Sequence, residues 1–197
     1  MLRREALKQV SLIGGSAIIG TSLLSLLQSC QQQPRINWKP TFLSESQAEL
    51  VSSLVDSLLP KTQTPGALDM KVDIFIDVVI NKLFDEPGQK LMTDGIDQFD
   101  ADSKAKFGKK FVDLDSDKKK EFLKTEEASA GKYNGQVWGT AVGIQKPVGF
   151  YRSIKSLAIW GYFSSEEIGL KYLNYDPIPG DYQGCLPLSD IGNTWSL

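Results

Sequence analysis

Val72-Asp73-Ile74-Phe75-Ile76-Asp77-Val78-Val79-Ile80-Asn81-Lys82-Leu83 decides the fold class. Its apolar positions 72, 75, 76, 79, 80 and 83 recur at intervals of 3, 1, 3, 1 and 3. A helix of 3.6 residues per turn gathers these on one stripe, whereas a strand scatters them over both faces. An amphipathic helix needs apolar partners, and the chain supplies them on either side. Upstream, Ser44-Glu45-Ser46-Gln47 has capping-box spacing, and Leu50, Val51, Leu54, Val55, Leu58 and Leu59 follow at helical intervals, predicting a helix over 45–59 that stops at Pro60. Between the two helices, Pro65 presets one turn angle and Gly66 is expected to supply positive φ.

Downstream, Glu86-Pro87-Gly88 reads as a break, and Leu91, Met92, Ile96 and Phe99 mark a third helix, with Phe107 and Phe111 following in a basic segment. Asp117 is placed to cap a fourth helix carrying Phe122 and Leu123. Gly131 to Gly149 contains five glycines and a proline and reads as a long irregular excursion. Phe150, Ile154, Leu157 and Ala158 predict a fifth helix, with Trp160 and Tyr162 assigned to its core face, and Ser164 or Ser165 caps a short sixth. From Asn174 onward, prolines together with Gly180 and Gly184 predict an extended tail without regular structure. Strand alternation persists nowhere. The expected fold is mainly α: an irregular multi-helix orthogonal bundle with a glycine-rich loop and an extended C-terminal tail.

The 197 residues hold 22 Lys+Arg, 24 Asp+Glu, two Cys and no His. One domain with a core of its own is the length expectation, without disulfide staples. The charge of -2 with interspersed signs gives no basic footprint, so no nucleic-acid partner is expected. Without histidine the chain cannot build Ser-His-Asp or Cys-His catalysis, His-ligated metal sites or a histidine-ligated haem.

Residues 1–29 read as an export signal: a basic start, then an uncharged run from Val10 to Cys30. Gly14, Gly15, Gly20 and several serines leave that run only mildly hydrophobic, which favours a signal over a transmembrane helix. Arg3-Arg4-Glu5-Ala6-Leu7-Lys8 resembles a twin-arginine signal, with Leu2 and Ala6 departing from the usual residues. Leu27-Gln28-Ser29-Cys30 resembles a bacterial lipobox, which would make Cys30 the acylated first residue of the mature protein. Two or three acyl chains hold durably where one holds marginally, at about 0.8 kcal/mol per buried methylene. Residues 30–41 then form the lipidated cysteine and a tether, and 42–197 a single helical domain, mildly acidic once the signal is removed. The expected location is the exported side of a bacterial membrane, periplasmic or cell-surface, anchored by lipid.

Other motifs fail on spacing. Asp113-Leu114-Asp115-Ser116-Asp117 begins like a calcium loop, but Lys118 and Lys124 stand where the turn glycine and the closing acid belong. Eight Lys and eight acids fall between Asp100 and Glu127, a solvated face. The cluster Gly14-Gly15-Ser16-Ala17-Ile18-Ile19-Gly20 lacks Gly-x-Gly and lies within the signal, so it is no dinucleotide fingerprint. The adjacent acids Glu126-Glu127 and Glu166-Glu167 point apart on a helix and make no acid–base pair. No catalytic, cofactor-binding or metal residues are assigned. With Cys30 acylated, Cys185 is an odd thiol, either buried and free or bridged to another chain.

Two segments carry a family resemblance. Leu59-Pro60-Lys61-Thr62-Gln63-Thr64-Pro65-Gly66-Ala67 with Val72 to Asp77, and Trp160 to Gly169 with Tyr175-Asp176-Pro177-Ile178-Pro179-Gly180-Asp181-Tyr182-Gln183-Gly184-Cys185, resemble the gluconate 2-dehydrogenase subunit 3 family. The likeness covers about residues 42–187; the middle, from Gln89 to Gly143, carries little of it. It implies a noncatalytic small subunit of a membrane-associated sugar or sugar-acid dehydrogenase. The implied large partner is an FAD-containing oxidoreductase of the glucose-methanol-choline type, commonly passing electrons to a cytochrome c, so FAD and haem c would sit on partner subunits. Export signal and lipid would let this chain carry and moor that partner. The stiff, aromatic strip of Tyr175, Pro177, Pro179, Gly180, Tyr182, Gly184 and Cys185 is the expected partner interface. A helical surface lipoprotein that binds a carbohydrate or cell-surface component by itself is the alternative.

Overall fold

The structure is a computed structural model that describes residues 36–130, 136–137, 140–143, 148–178, 180 and 184–196. Two compact units divide the chain at Asn37/Trp38. Of the first, only Ile36 and Asn37 are described, and Arg3, Arg4 and Cys30 lie outside the described residues.

The second unit is mainly α. Helix α1 (Glu45–Leu58) opens on the expected capping box: the Ser44 hydroxyl accepts the Gln47 N–H while the Gln47 side chain accepts the Ser44 N–H. Helix α2 (Val72–Leu83) has the predicted span, and its stripe is buried at Val72, Ile76, Val79 and Ile80. Helix α3 (Glu86–Phe107) corrects the expected break. Asp85 caps it by accepting the Gly88 N–H at 3.0 Å, and Pro87 stands in the first turn, where an N–H has no intrahelical acceptor to lose. Phe107 is thereby the last residue of α3 and not part of a following segment.

A 3-10 turn (Phe111–Asp113) leads to helix α4 (Ser116–Ser129). Its cap is Asp115, two residues earlier than predicted, accepting the Lys118 N–H at 2.9 Å. The buried Leu114 explains the shift, because the chain must leave the core immediately before the helix starts. Within the excursion, β1 (Gln136–Val137) pairs antiparallel with β2 (Thr140–Ala141). Helix α5 (Phe150–Phe163) and the short α6 (Glu166–Lys171, with Ser165 at its cap position) follow as expected.

Each of α1, α2, α3 and α5 packs against the other three, and α4 lies across α1 and α5. Leu54, Ile76, Ile80, Met92, Ile96 and Ile154 are fully enclosed between them. Beneath α3 and α4, Phe99 stands edge-on to Phe111, Phe122 and Phe150 at ring separations of 4.8–5.8 Å, the geometry favoured by aromatic quadrupoles.

Two buried acids on α2 hold the chain that enters α1. Asp77 accepts the backbone N–H groups of Thr41, Phe42 and Leu43 and the Thr41 hydroxyl at 2.6–3.1 Å. Asp73 accepts the Trp38 indole N–H at 2.9 Å and the Ser52 hydroxyl at 2.7 Å. Residues from Trp38 to Thr41, at the end of the segment read as tether, are thus tied to the middle of the bundle.

The tail differs from the extended strip expected. Asn174 and Trp195 form a parallel bridge, and Leu188–Ile191 makes a one-turn helix, α7. Asparagine side chains explain the difference: the Asn174 amide donates to the carbonyls of Ile191 and Asn193, and the Asn193 amide donates to that of Tyr172. These bonds occupy backbone acceptors that a proline-rich segment cannot pair in a regular ladder.

Candidate functional site

The two segments that carry the family resemblance meet in space. The connection after α1 is built on close backbone approach: a Cβ on Gly66 would lie 2.6 Å from the Lys61 nitrogen. Its φ lies outside the left-handed range, so Gly66 is required for space and not for the positive φ predicted. Asp69 closes the connection by accepting the Gly66 N–H and pairing with Lys61, and these two contacts, in that order, hold its carboxyl below the ordinary value. The residue in the left-handed region is Lys71, with φ of 55° directly before α2.

From the other segment, the Tyr162 hydroxyl donates to the Pro65 carbonyl at 2.7 Å. The Phe75 ring fills the place that a side chain on Gly161 would take, its nearest carbon 2.5 Å from the would-be Cβ. Trp160 stands edge-on to that ring at 5.1 Å. Tyr162 is buried as predicted, but Trp160 is not a core residue: with Gly161 pressed against α2, the preceding side chain is turned outward and stays 47% exposed. Ile159 and Phe163 are exposed on the same face of α5. An open cleft of about 310 Å³ is lined by Thr62, Thr64, Met70, Glu167, Tyr172 and the same Pro65 that accepts the Tyr162 hydroxyl.

The predicted interface residues fall on the tail. Tyr175, Pro177, Gly180, Gly184 and Cys185 are exposed, while Pro179 and Tyr182 lie outside the described residues. Cys185 is a free, exposed thiol, so the buried alternative does not hold. Asp73, Asp77 and the Phe75–Gly161 contact were not singled out as functional by sequence reasoning. Acids at positions 73 and 77, four apart on the buried side of an apolar helix, are the signal that could have found the first two.

Among the described residues no group of three or more His, Cys, Asp or Glu is placed to hold a metal ion, and no helix is long and apolar enough to cross a membrane. A second cleft, of about 260 Å³, lies between α1 and α3, where the Asp100–Lys104 ion pair and Asp97 line it. The adjacent acids Glu126 and Glu127 do point apart. Burial and then the facing Asp102 push the Glu126 carboxyl up, whereas Glu127 is held low, first by the Lys155 hydrogen bond and then by the charges of Lys155 and Arg152. Burial and the Glu127 charge push the Tyr151 phenol up to about 12, leaving it a neutral donor to Glu127.

Residues 45–180 match the family described as gluconate 2-dehydrogenase subunit 3. The chain belongs to that family. The match spans both segments that build the ledge and the cleft, and it covers most of the second unit. The family's description is that of one subunit of a dehydrogenase, consistent with an accessory part in an oxidoreductase complex. No curated protein and no solved structure matches the chain.

Proposed function

We propose that this chain is the noncatalytic small subunit of an FAD-dependent sugar or sugar-acid dehydrogenase of the glucose-methanol-choline type, which it stabilises, escorts through export and moors to a membrane by lipid on Cys30. The observation that carries the reading is the family match over residues 45–180, most of the compact helical unit. In this reading FAD belongs to the large subunit and haem c, where electrons leave the complex, to a cytochrome. Folding before export suits the twin-arginine route, because Arg3 and Arg4 could then carry both subunits at once.

Fractionation of the producing bacterium tests this. Deletion of the chain is expected to remove dehydrogenase activity from the membrane, and Arg3→Lys with Arg4→Lys to leave the flavoprotein inside the cell. Cys30→Ala is expected to release an active complex into the soluble exported fraction. Flavoprotein that reaches the membrane normally in all three strains contradicts the proposal.

A further inference from the structure

The described tail residues from Asn174 to Ser196 form an arm closed at its base. The Asn174 N–H donates to the Thr194 carbonyl at 2.9 Å and the Ser196 N–H to the Asn174 carbonyl at 2.8 Å, so the two ends are paired. The Ser196 side chain occupies the space that a Cβ on Gly169 would need, which seats the base on α6. Between these fixed ends the arm displays apolar side chains: Ile178 is 83% exposed, Leu188 84% and Trp195 56%, with Tyr175 and Leu186 exposed beside them. Closure means the loop entropy is already spent, so apolar residues held this way dock at lower cost than on a free tail. Large apolar side chains that recur exposed along one short, closed segment are available for a partner to bury.

Charge selects the occupant. After Lys171 the chain carries Asp176, Asp181 and Asp190 and no Lys or Arg. An arm of this sign is repelled by an anionic bilayer, where each basic residue would gain and each acid lose. The same sign fits a protein groove whose apolar floor is bordered by cations.

Resting on the functional reading above, we propose that this closed arm is the docking element for the dehydrogenase subunit. It places Ile178, Leu188 and Trp195 in an apolar groove on that subunit rimmed by Lys or Arg.

The test uses the purified complex and the flavoprotein subunit isolated from it, titrated against the full-length chain. Leu188→Asp and Trp195→Ala are each expected to weaken binding at least ten-fold. Asp176→Asn with Asp190→Asn, which keeps an acceptor for the Ile178 N–H, is expected to weaken it at low salt and to lose the difference at high salt. Unchanged circular dichroism and melting of each variant show that the bundle is intact. Leu188→Asp and Trp195→Ala that bind within two-fold of the parent overturn the proposal, as do the same substitutions in a Cys30→Ala chain if they abolish flotation with phosphatidylcholine–phosphatidylglycerol vesicles, or self-association, while the flavoprotein still binds. A parent chain that yields no flavoprotein complex at all overturns the functional reading itself, and the docking with it.

Discussion

At the scale of single residues, Asp77 is the most consequential side chain in the bundle. Burial pushes its carboxyl up, but the N–H of Leu43, the hydroxyl and N–H of Thr41 and the N–H of Phe42 more than offset this and hold it below the ordinary carboxylate value. A carboxyl lowered on folding contributes stability above its unfolded pKa and loses it as pH falls through the folded value. Asp77→Asn is therefore expected to cost about 2–3 kcal/mol at neutral pH and to flatten the acid limb of the stability profile, measured by urea melts between neutral and acid pH. Equal slopes for parent and variant would refute the assignment. Gly161→Ala must displace the Phe75 ring, which the Cβ would approach to 2.5 Å. Loss of about 1–3 kcal/mol and a changed Trp160 fluorescence are expected. Lys71 sits at φ of 55°, so Lys71→Gly is expected to stabilise by roughly 1 kcal/mol, checked by thermal melting. These three sites show where sequence reading stopped: periodicity marks which face of α2 is buried, but it says nothing of what an acid on that face bonds to. The αL geometry of a lysine has no sequence signature at all.

At the scale of elements, α1, α2 and α5 were legible from apolar spacing, with the Ser44–Gln47 capping box adding the start of α1, and α6 from the serine at its start. The third and fourth helices were found with displaced starts because an aspartate two or three residues away competes for the cap: Asp85 and Asp115 win over the breaker reading of Pro87 and over Asp117. The tail misled for a different reason, since its order comes from long-range asparagine side-chain bonds and not from local propensity. The tie between α4 and α5 is also long-range: Glu127 pairs with Lys155 at 2.6 Å and with Arg152 at 3.5 Å. Removing that charge should ease ionisation of Tyr151, because an anion nearby disfavours a second one. Glu127→Gln is expected to bring the phenol down from about 12 while burial, the larger cause, keeps it above 10.0. Titration of the tyrosine ring signals by NMR reads this directly, and an unmoved midpoint would show that Glu127 has no hold on it.

At the scale of the whole molecule, a helical body is tied through Asp73 and Asp77 to the chain that leads back towards Cys30. Both acids lie on α2, the helix that also carries Phe75 beneath the Trp160 ledge. The fold class and the family segments could be read from the sequence, whereas the ledge and the closed arm required the structure, since both depend on contacts between residues far apart in the chain. The most direct measurement is the stoichiometry of the complex released from native membranes by mild detergent and isolated through this chain. The account predicts one flavin-bearing dehydrogenase subunit per copy, with the flavin absent from this chain after the subunits are separated. A colourless protein that elutes alone, with the dehydrogenase recovered elsewhere at full activity, would contradict it.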